Sequence, residues 1–314
     1  MDYSDIKTTS DRVIAEVGKA IIGKDDKIRL LLCALFSGGH VLIEDLPGTG
    51  KTMLAKSLAK TLSGSFKRVQ FTPDLMPSDI TGLKIFDRRE DDFRLVKGPV
   101  FTNILLADEI NRATPRTQSA LLEAMEERQV TIDGETHELN LPFLVIATEN
   151  PVETTGTYPL PEAQLDRFSL KLSLGQAEKK EELLIIESYM EEQPLVSLQA
   201  VTNTEELKKI AKHVKKVHVG AAVREYIVNL ARATREEGRI EVGVSTRGVL
   251  HMVRLSQCLA ATHGRAFVTP DDVAELLIPV WAHRLSCFGS IGKEAELLTE
   301  VAGRVRVPVE DWEK

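Results

Sequence analysis

The sequence predicts an α/β protein with a five-stranded parallel sheet flanked by helices, followed by a smaller all-helical unit. Three observations lead there. Five short apolar β-rich runs alternate with helical patterns up to about Leu174, and buried runs alternating with helices form parallel sheets covered on both faces. A glycine-rich loop, Asp45-Leu46-Pro47-Gly48-Thr49-Gly50-Lys51-Thr52, lies between the first run and an amphipathic helix. Beyond Leu174 the apolar spacing is almost entirely helical.

The elements follow in order. Val13, Ile14, Val17 and Ile21 share one helical face behind Ser10, a candidate N-cap, and Gly23 is a natural stop. Ile28, Leu31, Leu32 and Leu35 form a second stripe, ended by Gly38-Gly39. The β-rich runs are His40–Glu44, Arg68–Thr72, Asn103–Asp108, Phe143–Thr148 and Phe168–Leu174, with helical segments at Lys51–Leu62 and Arg116–Arg128. Two hairpins interrupt the alternation. One, about 83–98, turns at the charged tip Arg88-Arg89-Glu90-Asp91-Asp92, and the other, about 129–139, turns at Asp133-Gly134. Downstream, Leu207, Ile210, Ala211, Val214 and Val217 make a stripe behind Thr204, and Thr269-Pro270-Asp271-Asp272 opens a further helix. Pro194 and Asn203 break the periodicity, which places a boundary in Glu191–Thr204 and divides the chain into 1–195 and 196–314.

Composition narrows the class. The 314 residues carry 40 basic and 47 acidic side chains, a formal charge of −7 that gives no global attraction to nucleic acid or anionic lipid. The 43% hydrophobic content argues against disorder. No apolar run reaches the roughly 18–20 residues needed to cross a bilayer. The acidic start Met1-Asp2-Tyr3-Ser4-Asp5 is unlike a secretory signal, and Cys33, Cys258 and Cys287 are too scattered for a disulfide framework or paired metal ligands. The expectation is a cytoplasmic protein with reduced thiols.

The chemistry begins at the loop. Small residues let backbone N–H groups turn inward around phosphates, a lysine meets the β- and γ-phosphates, and a hydroxyl ligates Mg²⁺. Gly48, Gly50, Lys51 and Thr52 supply these parts, and the helix that follows points its positive end at the anion. Pro47, Thr49 and Met53 belong to the same expected nucleotide-binding set. The first loop position, ordinarily glycine, is Asp45. A second run, Ile104–Ala107, ends in Asp108-Glu109: the first acid can hold the Mg²⁺ shell together with Thr52, and the second can orient water against the γ-phosphate. Asn150, before Pro151, is either a turn residue or an amide for that water. Arg167 and Arg247 are either surface residues or guanidiniums for the transferred phosphoryl group, and Ser245 or Thr246 could cap the helix bearing Arg247.

With these segments in view, the chain resembles the AAA+ ATPases and, within them, the MoxR family. Besides the loop, the resemblance is carried by Phe71–Gly82, Ala107–Ala113, Thr117–Glu127 and Gly156–Phe168, long strings covering most of residues 40–170. It implies ATP and Mg²⁺ as cofactors, with Asn150 as sensor 1, Arg167 as the arginine finger of a neighbouring subunit and Arg247 as sensor 2 on an all-helical lid. It also implies that Ile22 and Gly23 lie near the adenine, and that both hairpins face the channel of a ring, commonly a hexamer. Glu149 stands where glutamine is usual, and Thr246 and Gly248 replace the usual proline and alanine. The implied activity is ATP hydrolysis coupled to chaperone-like remodelling or metal-cofactor maturation of client proteins, often with a von Willebrand factor A domain partner. Two other readings stay open at this stage: a nucleic-acid motor, disfavoured by the acidic balance, and a non-hydrolysing nucleotide-gated adaptor, disfavoured by the intact Asp108-Glu109 pair. A metabolite kinase is more distant. Lys208, Lys209, Lys212, Lys215 and Lys216 lie opposite an apolar stripe and read as a solvated face, so neither nucleic acid nor membrane insertion is expected.

Overall fold

The structure, a computed structural model, describes residues 2–151, 156–191, 193–289 and 292–309. Two helices, α1 (Tyr3–Gly18) and α2 (Asp25–Ser37), lead into strand β1 (Val41–Glu44), helix α3 (Lys51–Thr61) and strand β2 (Phe66–Gln70). A short helix α4 (Pro77–Thr81) precedes the first hairpin, β3 (Gly82–Asp87) and β4 (Asp92–Lys97). Strand β5 (Ile104–Asp108) and helix α5 (Pro115–Glu127) precede the second, β6 (Gln129–Ile132) and β7 (Glu135–Glu138). Strand β8 (Leu144–Glu149), the short helix α6 (Glu162–Leu165) and strand β9 (Leu170–Leu172) complete the α/β part.

The five long-range strands form one parallel sheet in the order β2-β5-β8-β1-β9. Side chains alternate across it as the two-residue period of a strand requires. Val41, Ile43, Ile104, Leu106, Leu144 and Ile146 enter a cluster with α1, α2 and α3, while Leu42, Leu105, Ala107, Val145 and Ala147 enter a second with Leu121, Leu122 and Met125 of α5. Both faces are therefore covered, and the sheet's carboxyl edge, where Glu44, Asp108 and Glu149 end their strands, is left for ligands.

The remaining chain is helical: α7 (Lys179–Glu191), α8 (Pro194–Ser197), α9 (Thr204–His213) and α10 (Ala221–Glu236). Then come α11 (Thr246–Thr262), α12 (Pro270–Trp281) and α13 (Glu294–Ala302), with one small antiparallel pair, β10 (Ile240–Val242) and β11 (Ser286–Cys287), that the helical spacing did not predict. Ile6, Val13, Ile14 and Val17 of α1 and the apolar side of α2 share a single buried cluster with Leu207, Ile210, Leu255, Leu276 and Leu298. The apolar core is thus continuous across the proposed 195/196 division.

Some expectations shift. The first helix begins at Tyr3 under a capping box of Asp2 and Asp5, and Ser10 sits mid-helix with its hydroxyl bonded to the Ile6 carbonyl. The second strand lies two residues earlier than the apolar run, at Phe66–Gln70. Asn203 caps α9, accepting from the Glu206 N–H. Both hairpins form, the second turning through Asp133 and Gly134 at φ of 49° and 81°. Lys84 of the first hairpin pairs with Glu135 of the second at 2.6 Å.

Candidate active site

The glycine loop runs from β1 into α3, and two of its residues fix the turn. Gly48 and Gly50 sit at φ of 87° and 88°, which side chains disfavour, and Gly50 is the left-handed cap from which α3 starts. The Lys51 ammonium curls over the loop and donates to the Asp45 carbonyl at 2.8 Å. Asp45 itself, the departure from glycine, is buried, and its carboxylate accepts from Ser173 Oγ and Leu174 N, both at 2.6 Å, and from Gly175 N at 3.2 Å. It ties the loop to the chain leaving β9.

Around this loop is a cavity of about 410 Å³ lined by Pro47, Gly48, Gly50, Lys51, Thr52, Met53, Asp108, Glu109 and Asn150, all expected there, and by Arg68 and Gln70, which were not. The Asp108 carboxylate accepts from Thr148 Oγ1 at 2.6 Å through one oxygen, and from Arg68 Nη2 at 2.7 Å and Nε at 3.1 Å through the other. Glu109 sits at φ 57° and ψ 52°, a left-handed backbone costing a non-glycine residue ~1–3 kcal/mol, held by its N–H bond to Thr148 Oγ1. Its carboxylate accepts from Gln70 Nε2 at 2.7 Å and pairs with Arg112 at 3.0 Å. Strain kept at this one acid, aimed into the cavity by fixed partners, suits a positioned base. Arg68 and Gln70 share a face of β2, and only the pairing of Gln70 with Asp108 across the sheet shows that this face meets the acids. Thr52 and Asp108 are both hard oxygen donors on the cavity wall, the donor chemistry Mg²⁺ prefers.

Gly23 and its neighbours approach from α1. The Ile21 side chain lies 3.9 Å from where a Gly50 Cβ would be, and a Cβ on Gly23 would fall 1.7 Å from Glu181 of α7. Ile21 thus stands beside the loop and Gly23 against α7, and neither Ile22 nor Gly23 lines the cavity itself. Glu149, next to Asn150, is mostly buried; burial lifts its carboxyl to about 7, Lys171 opposes and the neighbouring Glu44 adds to the rise. Lys171 pairs with Glu44 at 2.8 Å.

Arg167 and Arg247 are elsewhere. They converge on Glu126 at the end of α5, Arg167 Nε at 3.2 Å from one carboxylate oxygen and Arg247 Nη2 bonded to the other. They line a different cavity, of about 400 Å³, with Arg128, Arg254, His251 and His40, and Glu126 is its one acid among the described residues. His40 precedes β1 and the glycine loop follows it, so the two cavities are on opposite edges of the sheet, about 13 Å of strand apart at ~3.3 Å per residue. No described residue beyond 195 lines the phosphate-loop cavity, and Arg247 lines the cavity at the opposite edge.

Comparison with known proteins agrees with this architecture. The sequence model described as "ATPase family associated with various cellular activities (AAA)" matches residues 40–170, and the "AAA lid domain" model matches residues 232–301. The chain is 40% identical to Chaperone MoxR1 of Mycobacterium tuberculosis, over 88% of this chain and 75% of that protein. This chain belongs to the MoxR family of AAA+ ATPases. It is also 43% identical to the uncharacterised protein YeaC of Bacillus subtilis, over 98% and 97% of the two chains. A crystal structure from Cytophaga hutchinsonii superimposes with a TM-score of 0.89 at 36% identity, covering 98% of this chain and 97% of that one. As a MoxR-type chain it carries Gly248, where alanine was expected, against Arg284: a Cβ there would lie 3.0 Å from Arg284 Cδ. Among the described residues no helix is long and apolar enough to cross a membrane.

Proposed function

We propose that this chain hydrolyses ATP in a ring of like subunits, each nucleotide held by the phosphate loop of one chain and completed by Arg167 and Arg247 of its neighbour. The supporting observation is the division of the machinery. Lys51, Thr52, Asp108, Glu109 and Asn150 converge at the carboxyl edge of the sheet, while both arginines gather at the opposite edge around one carboxylate. A head-to-tail neighbour would bring the second set to the first chain's phosphate.

In this reading the loop N–H groups and Lys51 hold the triphosphate, and Thr52 and Asp108 hold Mg²⁺. That ion, when bound, neutralises charge on the β- and γ-phosphates. Glu109, fixed by Gln70 and Arg112, takes a proton from the attacking water, and Asn150 orients that water. The neighbour's Arg167 and Arg247 leave Glu126 for the γ-phosphate and stabilise the charge that spreads as its bond breaks. The exposed hairpin of β3 and β4, whose Phe86 and Phe93 rings meet edge-on at 5.4 Å, is the part we assign to client contact. A chaperone-like role in the cytoplasm, on clients that include metal-cofactor proteins, follows the name of the mycobacterial relative and the implied properties of the family.

The test is Glu109→Gln. It should retain nucleotide binding, measured by calorimetry with Mg²⁺ present, while steady-state turnover falls by about 100-fold or more. Turnover near that of the unaltered protein would remove Glu109 from the reaction.

A further inference from the structure

We propose that Arg284 is a positioning residue for Arg167, clamping the arginine-bearing loop to the helix that carries Arg247 so that the two arginines form one rigid unit. The inference rests on the reading of Arg167 as a residue that acts on the neighbour's nucleotide.

Arg284 follows α12, and its side chain is 1% exposed. A buried guanidinium demands partners for its donors, and all but one of those here come from a single tripeptide. Nη1 donates to the Asp166 carbonyl at 2.7 Å and bonds the Asp166 carboxylate. Nη2 donates to the Phe168 carbonyl at 2.6 Å, and Nε to Val280 at 2.7 Å within its own turn. The residue between the two gripped carbonyls is Arg167. This stretch joins α6 to β9 and has no strand ladder of its own, so fixing the carbonyl on each side of Arg167 fixes the direction in which its side chain leaves the backbone. The planar fork of arginine suits this, because one group reaches two carbonyls and a carboxylate at once.

The same carboxylate has a second partner. Ser245 Oγ lies 3.1 and 3.2 Å from the two Asp166 oxygens while accepting from the Gly248 N–H at 3.0 Å as the cap of α11. Arg247 is two residues into that helix. Asp166 thus ties the base of Arg247's helix to Arg284 and to the backbone of Arg167. Neither Arg284, Asp166 nor Ser245 lines the phosphate-loop cavity. Any defect they produce should therefore appear at the neighbour's site and not at the chain's own.

The experiment compares assembled rings. Arg284→Met should lower turnover by about 10- to 100-fold, the scale of a catalytic group displaced by ~1 Å, with nucleotide affinity of the ring changed less than twofold. Mixing Arg284→Met chains with Lys51→Ala chains should then restore turnover. At mixed interfaces the first supplies an intact phosphate loop and the second supplies intact arginines. Arg167→Ala chains mixed with Lys51→Ala chains are the reference. If the reference recovers and the Arg284→Met mixture does not, or if Arg284→Met weakens nucleotide binding in parallel with turnover, the positioning role is overturned. Recovery in neither mixture overturns the shared site on which it rests. Arg284→Lys, which keeps the charge against Asp166 but lacks the fork, repeats the comparison should Arg284→Met fail to assemble. An unchanged turnover in Arg284→Lys rings would also sink the proposal.

Discussion

Asp45 stands where a phosphate loop ordinarily begins with glycine and Glu149 where the family usually has glutamine, and each has a physical consequence. Asp45 holds Ser173, Leu174 and Gly175 from inside the protein, so Asp45→Ala leaves the Leu174 and Gly175 N–H groups without their acceptor. Hydrogen bonds to a charged group contribute about 1.5–3 kcal/mol, and the variant should lose that much in equilibrium denaturation. Glu149 acts through pH. Its carboxyl is raised from 4.5 to about 7, so the folded state holds the proton more tightly than the unfolded state. Stability is then full below about 4.5 and falls as pH rises through 7. Glu149→Gln removes this dependence: it should be close to neutral at pH 4.5 and stabilise by up to about 3 kcal/mol at pH 8, as read by unfolding at the two pH values. A variant with equal effect at both would show that burial does not govern this carboxyl. The convergence of Lys51, Asp108 and Glu109 on one cavity is legible because each sits in a contiguous motif. The role of Asp45 is not, because its partners are 128 to 130 residues away in sequence and meet it only across β1 and β9.

At the scale of elements, local chemistry set what could be read. The Asp133-Gly134 turn and the Thr269 capping box with Asp272 are coded within four residues, and both form as expected. The first helix start was misplaced because Ser10 looks like a cap but satisfies its hydroxyl at i−4 inside a helix already begun at Tyr3. The sequence offers two caps for α11, Ser245 and Thr246, and the structure selects Ser245, whose Oγ accepts from Gly248 N at 3.0 Å. Losing a serine cap costs about 1 kcal/mol, and Ser245 also bonds Asp166, so Ser245→Ala should lower stability by roughly 1–2 kcal/mol. Thr246→Ala, one residue inside the helix, should change it by less than about 0.5 kcal/mol. Equal losses in thermal unfolding would mean that the cap is not the feature that starts this helix.

Over the whole molecule, the arrangement of charge predicts an enzyme that is incomplete as a single chain. The parallel sheet and its covering helices were legible from alternating apolar runs, but the placement of the helical unit was not. It depends on α9, α11 and α12 sharing a core with α1 and α2, which no local pattern encodes. That placement carries Arg247 to the edge away from the chain's own phosphate loop, beside Arg128, Arg167 and Arg254 in a cavity with Glu126 as its acid. Four guanidiniums lining one cavity with a single carboxylate among the described residues form a cationic surface suited to a polyphosphate presented by a neighbour. Turnover per chain should therefore fall on dilution, in step with dissociation followed by sedimentation, and saturating nucleotide should move the transition to lower protein concentration by mass action. Arg167→Ala, lacking the group supplied across the interface, should keep only a small residual rate at every concentration. Specific activity that stays constant over a hundredfold dilution while the protein sediments as monomers would place the complete site within one chain.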